Sequence, residues 1–211
     1  MEIKAQDTIL FLGDSVTDCD RDYDDPTSLG NGFPHLVAKQ LQARYPEYQL
    51  NFINKGISGN KIQDIVERLE QDCLALQPDM VIFLIGVNDT WHHVGEASFG
   101  TEVEVTRFVN AYREVLIAMQ ASGIQRIMVL APFALPFPAD RVSWGLDLNP
   151  KIEGIKDLAS QFKATYLPLN ELFMEAIKQE SPQFYTGDDG VHPTLAGHQF
   201  IAEAIMKQIV D

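Results

Sequence analysis

Apolar residues along this chain follow two rhythms. Five short runs are compact: Thr8-Ile9-Leu10-Phe11-Leu12, Leu50-Asn51-Phe52-Ile53, Met80-Val81-Ile82-Phe83-Leu84-Ile85, Ile127-Met128-Val129-Leu130 and Thr165-Tyr166-Leu167. They predict short strands. The first and third are near-continuous, the mark of parallel strands covered on both faces. Between the runs, apolar residues recur at helical spacing. Ile62, Ile65, Val66, Leu69, Cys73 and Leu76 form one such stripe; Val105, Phe108, Val109, Tyr112, Leu116 and Met119 form another. A last helix is expected to open at Pro193, because proline suits a first helical turn, with Ile201, Ile205 and Ile209 on one face. Strands alternating with helices predict a doubly wound α/β fold with a mostly parallel sheet.

No repeat, low-complexity segment or linker interrupts the pattern, so residues 1–211 are expected to form a single domain. Two connections stand out by length. Residues from about Asp18 to Gly30 are acidic and turn-rich. Residues from Pro132 to Pro150 hold Phe133, Phe137 and Trp144 among several prolines. Both should leave the carboxyl ends of strands, where open α/β sheets bind ligands, and connections this long are often functional.

Composition narrows the partners. The formal net charge of −14 over 211 residues argues against nucleic acid or an anionic membrane surface. No apolar run approaches the roughly 18 residues of a membrane span, so no membrane insertion is expected. The first residues lack the basic start and apolar stretch of a signal peptide, which points to the cytoplasm. Cys19 and Cys73 are isolated and read as reduced thiols.

Four polar clusters each follow an apolar run or a turn: Gly13-Asp14-Ser15, Asn54-Lys55-Gly56, Gly86-Val87-Asn88-Asp89 and Asp189-Gly190-Val191-His192-Pro193. Singly, each has an ordinary reading. Ser15 could cap a helix, Gly56 could serve a turn, Asn88 could brace a loop, and Asp189 with His192 could be a solvated turn. Together they supply a hydroxyl nucleophile, a base with an orienting carboxylate, and donors for an oxyanion. That is the equipment of acyl transfer by a serine. Asp18, Asp20 and Asp22 alternate like a calcium loop, but Tyr23 and Leu29 occupy the places that need Gly and Glu. His92-His93 comes with no zinc-like ligand set. Gly56-Ile57-Ser58-Gly59 is no nucleotide loop. No metal or cofactor is expected.

Gly13-Asp14-Ser15, Gly56, Asn88 and His192 resemble the sequence blocks of the SGNH, or GDSL, hydrolases, and the likeness runs from about Ile9 to Pro193. The resemblance implies a three-layer α/β/α sandwich around a five-stranded parallel sheet of flavodoxin-like order. It implies Ser15 as nucleophile, His192 as base and Asp189 as orienter. It also implies an oxyanion hole of Ser15 N–H, Gly56 N–H and the Asn88 side chain. The residues after each block look like the bacterial acetylxylan-esterase branch, which implies removal of acetyl groups from small carbohydrates. Some members of that branch assemble into higher oligomers, which raises a homo-oligomer here. One departure is Asp188, where members often carry Trp. Asp14, Trp91, Phe133 and Trp144 are candidates for the substrate pocket of a small-molecule ester. The aromatic residues near Phe133, Phe137 and Trp144 motivate the alternative, a lipolytic acylhydrolase or thioesterase of broader acyl preference.

Overall fold

The computed structural model describes residues 1–209. The strands are β1 (Thr8–Gly13), β2 (Asn51–Gly56), β3 (Met80–Leu84), β4 (Arg126–Leu130) and β5 (Thr165–Leu167). They form one parallel sheet in the order β2-β1-β3-β4-β5. This is the doubly wound, flavodoxin-like order expected. Chain direction across the sheet reverses between β1 and β3, and ligands bind outside the carboxyl ends of strands at such a switch point. Gly13 ends β1 level with Gly56 of β2 and Leu84 of β3, so three loops leave one edge together.

Successive strand residues face opposite ways, and the compact apolar runs therefore feed two cores. One face carries Ile9, Phe11, Ile82, Leu84, Met128 and Leu130. It packs against α2 (Phe33–Arg44), α7 (Leu169–Ala176) and α9 (Leu195–Met206) through Phe33, Val37, Leu41, Phe173, Ile201 and Ile205. The other carries Leu10, Leu12, Val81, Phe83, Ile127 and Val129. It meets α3 (Ile62–Asp72), α5 (Glu102–Ala121) and α6 (Gly145–Gln161) through Ile65, Leu69, Phe108, Tyr112, Leu116, Ile155 and Leu158. Burying each large apolar side chain contributes about 1.5–3 kcal/mol, and two such cores make the sandwich.

The two helical stripes read from sequence are α3 and α5. The remaining helices are short: α1 (Ser15–Asp18), α4 (Val87–Trp91) and α8 (Pro182–Thr186). Three boundaries differ from expectation. The last helix starts at Leu195, not Pro193, because the Thr194 hydroxyl caps it by accepting the Gly197 N–H. The stripe through Leu76 breaks after Asp72 into a 3-10 turn at Leu74–Leu76. The connection from Pro132 to Pro150 is shorter than its prolines suggest. A 3-10 segment covers Ala139–Trp144 and α6 begins at Gly145, with Pro150 inside it. There the proline forgoes one N–H bond, and burial of Leu148, Ile152 and Ile155 outweighs it. Among the described residues no helix is long and apolar enough to cross a membrane.

Candidate active site

Ser15 is the first residue of α1, directly off the carboxyl end of β1. Asp14 caps that turn: its Oδ1 accepts the Val16 N–H at 3.0 Å. The loop before α9 brings His192 to the serine, with Nε2 2.9 Å from Ser15 Oγ. On the other side of the ring, Nδ1 lies 2.6 Å from Asp189 Oδ2. Asp189 Oδ1 accepts the Val191 and His192 backbone N–H groups at 2.8 and 2.9 Å, which holds the carboxylate under the imidazole. Burial pushes the Asp189 carboxyl up, but the His192 ring and these two amides outweigh it and hold it below the ordinary range. An ionised carboxylate at Nδ1 keeps the proton there and leaves the Nε2 lone pair facing the serine hydroxyl.

The expected part of Gly56 is not met. Its N–H is engaged inside a buried turn, donating to Asn54 Oδ1 at 2.8 Å. Asn54 Nδ2 in turn donates to the carbonyls of Thr17 and Leu29, tying β2 to α1 and the following loop. Gly56 is needed for close approach, since a Cβ there would sit 2.2 Å from the Asp18 nitrogen. Three residues on, Gly59 stands with φ +82° and open space around it. Its N–H donates to no acceptor among the described residues. Ser58 lines the same cleft as Ser15 and His192, and the Asn60 carbonyl accepts from Asn88 Nδ2 at 3.0 Å. Gly59 thus lies between a cleft residue and the carbonyl bound by Asn88. Its signal was the second glycine of Gly56-Ile57-Ser58-Gly59, where the first drew attention.

Of the four pocket candidates, one remains beside the triad. Trp91 is half-buried, its ring centre 5.9 Å from that of His192 and 5.3 Å from that of Trp144. Asp14, Phe133 and Trp144 are 1–2% exposed and are not pocket walls. Phe133 packs on Phe173 in the core, and Trp144 is capped by the Arg141 guanidinium at 4.2 Å. Their apolar bulk is better satisfied inside than in a wet cleft. Arg141 also donates from Nε to the Asp189 carbonyl at 2.9 Å, anchoring the triad loop. Ser15, Ser58, His192 and Pro193, with Cys19, Asp20 and His198, line a cleft of about 250 Å³.

Sequence reading missed the group that fixes α4, the helix of Asn88. Asp147 and Lys151 of α6 are fully buried and paired at 2.5 Å. Lys151 Nζ donates to the Asp89 carbonyl at 2.8 Å, and the Thr90 hydroxyl donates to Asp147 Oδ2 at 2.6 Å. Asp89 and Thr90 immediately follow Asn88. Asp89 Oδ2 also accepts the Ile62 N–H at 3.0 Å, joining α4 to α3. Burial pushes the Asp14 and Asp89 carboxyls up to about 7, against the hydrogen bonds that favour their ionised forms. An i, i+4 Asp/Lys pair reads in sequence as an exposed helix face, and so gave no signal.

A serine, an imidazole and a carboxylate in hydrogen-bonded series at the switch point of a doubly wound sheet define a serine hydrolase. The chain belongs to the GDSL-like Lipase/Acylhydrolase family, which it matches over residues 11–200, and it is a carboxylic ester hydrolase. It is 31% identical over 217 residues to the acetylxylan esterase of Geobacillus stearothermophilus, covering 99% of this chain and 96% of that one. It is 27% identical over 206 residues to thioesterase 1/protease 1/lysophospholipase L1 of Escherichia coli strain K12, covering 97% of this chain and 84% of that one. The crystal structure of Axe2, an acetylxylan esterase from G. stearothermophilus, superposes with a TM-score of 0.85 at 28% identity, covering 99% of this chain and 96% of that one. Axe2 has also been solved as catalytic mutants at a serine, an aspartate and a histidine.

Proposed function

We propose that this single domain removes acetyl groups from small acetylated carbohydrates through an acyl-enzyme on Ser15. Ser15 Oγ attacks the ester carbonyl while its proton passes to His192 Nε2. The oxyanion is held by Ser15 N–H, Gly59 N–H and Asn88 Nδ2. Collapse breaks the bond to the alcohol, which leaves with the proton from His192. Water then gives a proton to the same nitrogen and attacks the acyl-enzyme, releasing acetate and restoring Ser15. Asp189 stays ionised and stabilises the imidazolium in both halves. The Ser15–His192–Asp189 series carries this reading, and the catalytic mutants of Axe2 at the same three residue types support it.

The substrate reading rests on the small cleft beside Ser15 and on the acetylxylan esterase relative. Phe133 and Trp144, two of the three aromatic residues that motivated a long-chain acyl substrate, are folded into the core, while Phe137 stays partly exposed. Initial rates on acetyl, butyryl and octanoyl p-nitrophenyl esters and on peracetylated xylobiose test it, with Ser15→Ala as control. Serine-dependent loss of acetate from both aryl ester and sugar is expected. Rates rising with chain length, and none on the sugar, would overturn the carbohydrate reading in favour of a lipolytic acylhydrolase or thioesterase.

A further inference from the structure

His198 has no part in the acyl-transfer steps, yet its ring lines the cleft with Ser15 and His192. It projects from α9 and is only 4% exposed. The Phe33 N–H donates to its Nδ1 at 3.2 Å, and the two rings stack with centres 6.4 Å apart. Burial drives the pKa of this imidazole down to about 4, so it is neutral at physiological pH. A neutral imidazole that accepts at Nδ1 carries its proton on Nε2. That N–H meets no acceptor among the described residues. The cleft therefore holds a rigid donor whose tautomer is set from behind. Asp20 lines the same cleft with a carboxylate.

A donor and an acceptor on one small cleft match a hydroxyl group, which accepts and donates at once. An alkyl group satisfies neither and strips water from both. An acetyl group has no hydroxyl to offer, so the pair suits the alcohol half of the ester. We propose that His198 Nε2–H and the Asp20 carboxylate form a subsite for hydroxyl groups of the departing alcohol, with His198 as a specificity-determining residue. The inference rests on the proposed reading of Ser15 as nucleophile and deepens its substrate class to polyhydroxylated alcohols.

The test compares kcat/KM for glyceryl monoacetate with that for propyl acetate, which differ by two hydroxyls on the alcohol. His198→Asn keeps an oxygen near the place of Nδ1 for the Phe33 N–H but has nothing at Nε2. Asp20→Gly removes the carboxylate at a φ of +61°, where glycine is at ease. The wild type is expected to prefer the glyceryl ester by about tenfold or more, and each variant to bring the ratio towards one. A ratio is insensitive to loss of folded enzyme, which a merely structural role would produce. No preference in the wild type, or an unchanged ratio in both variants, overturns the subsite. Ser15→Ala retaining activity on both esters would instead overturn the nucleophile. Preference for the glyceryl ester with no action on acetylated xylobiose would support the subsite while rejecting the sugar.

Discussion

Ser15 Oγ and His192 Nε2 lie 2.9 Å apart although 177 positions separate them in the chain. The serine sits at the start of α1, at the carboxyl end of the interior strand β1. The histidine hangs from the loop that enters α9, and α9 is packed with α2 on the same face. Neither side chain needs a helix or strand of its own length to reach the other. The packed sandwich sets their separation.

Ser15→Ala is expected to lower kcat by about 10³-fold or more, with no loss of folded protein. The hydroxyl has His192 as its hydrogen-bond partner, so its removal disturbs nothing in the core. Titration with a fluorophosphonate probe and a thermal melt check both halves. Wild-type turnover in a pure preparation would remove Ser15 from the mechanism.

Activity is expected to fall on acidification as His192 gains a proton, because a general base must be neutral. Asp189 does not set that limb, since its partners keep it ionised below the ordinary carboxylate range. A depressed carboxyl stabilises the fold above its unfolded pKa, and that contribution is lost as pH falls through the folded value. Asp189→Asn should cost about 10³-fold or more in kcat at the pH optimum, while the amide oxygen still accepts the Val191 and His192 N–H groups. A kcat–pH profile without an acidic limb would exclude His192 as the base.

Asp14 and Asp89 predict stability with the opposite slope. Their folded pKa values of about 7 lie above the ordinary 3.8, so the folded state binds more protons between those values. Their contribution is fully present below pH about 4 and is lost as pH rises through 7. Asp89→Asn keeps an acceptor for the Ile62 N–H and removes one titration. Urea unfolding at pH 5 and 8 should then show the variant gaining on the wild type as pH rises, by about 2–3 kcal/mol. An equal offset at both pH values would contradict a raised Asp89.

Gly56 and Gly59 should fail differently when a methyl group is added. Gly56→Ala puts a Cβ against the Asp18 and Thr17 backbone and is expected to lower the melting temperature strongly. Gly59→Ala meets no neighbour but strains a φ of +82°, costing about 1 kcal/mol and tilting the N–H. Its kcat should fall about 10- to 100-fold with KM little changed. Loss of kcat in a fully folded Gly56→Ala would return the oxyanion role to that residue.

Lys151→Met is expected to destabilise the fold by about 3–5 kcal/mol, because it leaves the buried Asp147 carboxylate without its cation. The double change to Lys151→Met with Asp147→Leu should recover part of that loss, since no lone charge then remains. Chemical denaturation of the two variants measures the difference. A double variant no more stable than Lys151→Met would show that the pair's worth lies in its bonds to Asp89 and Thr90.

Ser15, Asp189 and His192 were legible as candidates because their short clusters, each ordinary alone, together supply a nucleophile, a base and an orienting carboxylate. Gly56 drew the oxyanion expectation because sequence cannot tell which of two glycine N–H groups is engaged by its own turn. Phe133 and Trp144 were misread as pocket walls because an aromatic in a proline-rich stretch gives no sign of the face it presents. Asp147 and Lys151 were invisible for a related reason: i, i+4 charges look solvated until a neighbouring helix covers them.

Sequence by itself determined the strand runs, the helical stripes and the candidate functional groups at Ser15, Asn88, Asp189 and His192, because these depend on periodicity and on residue type. Tertiary structure alone decided which N–H groups remain free, which aromatic rings are buried, and which backbone donor reaches His198. Those outcomes turn on hydrogen-bond partners and exclusion of water supplied by residues far along the chain, and local pattern carries no record of them.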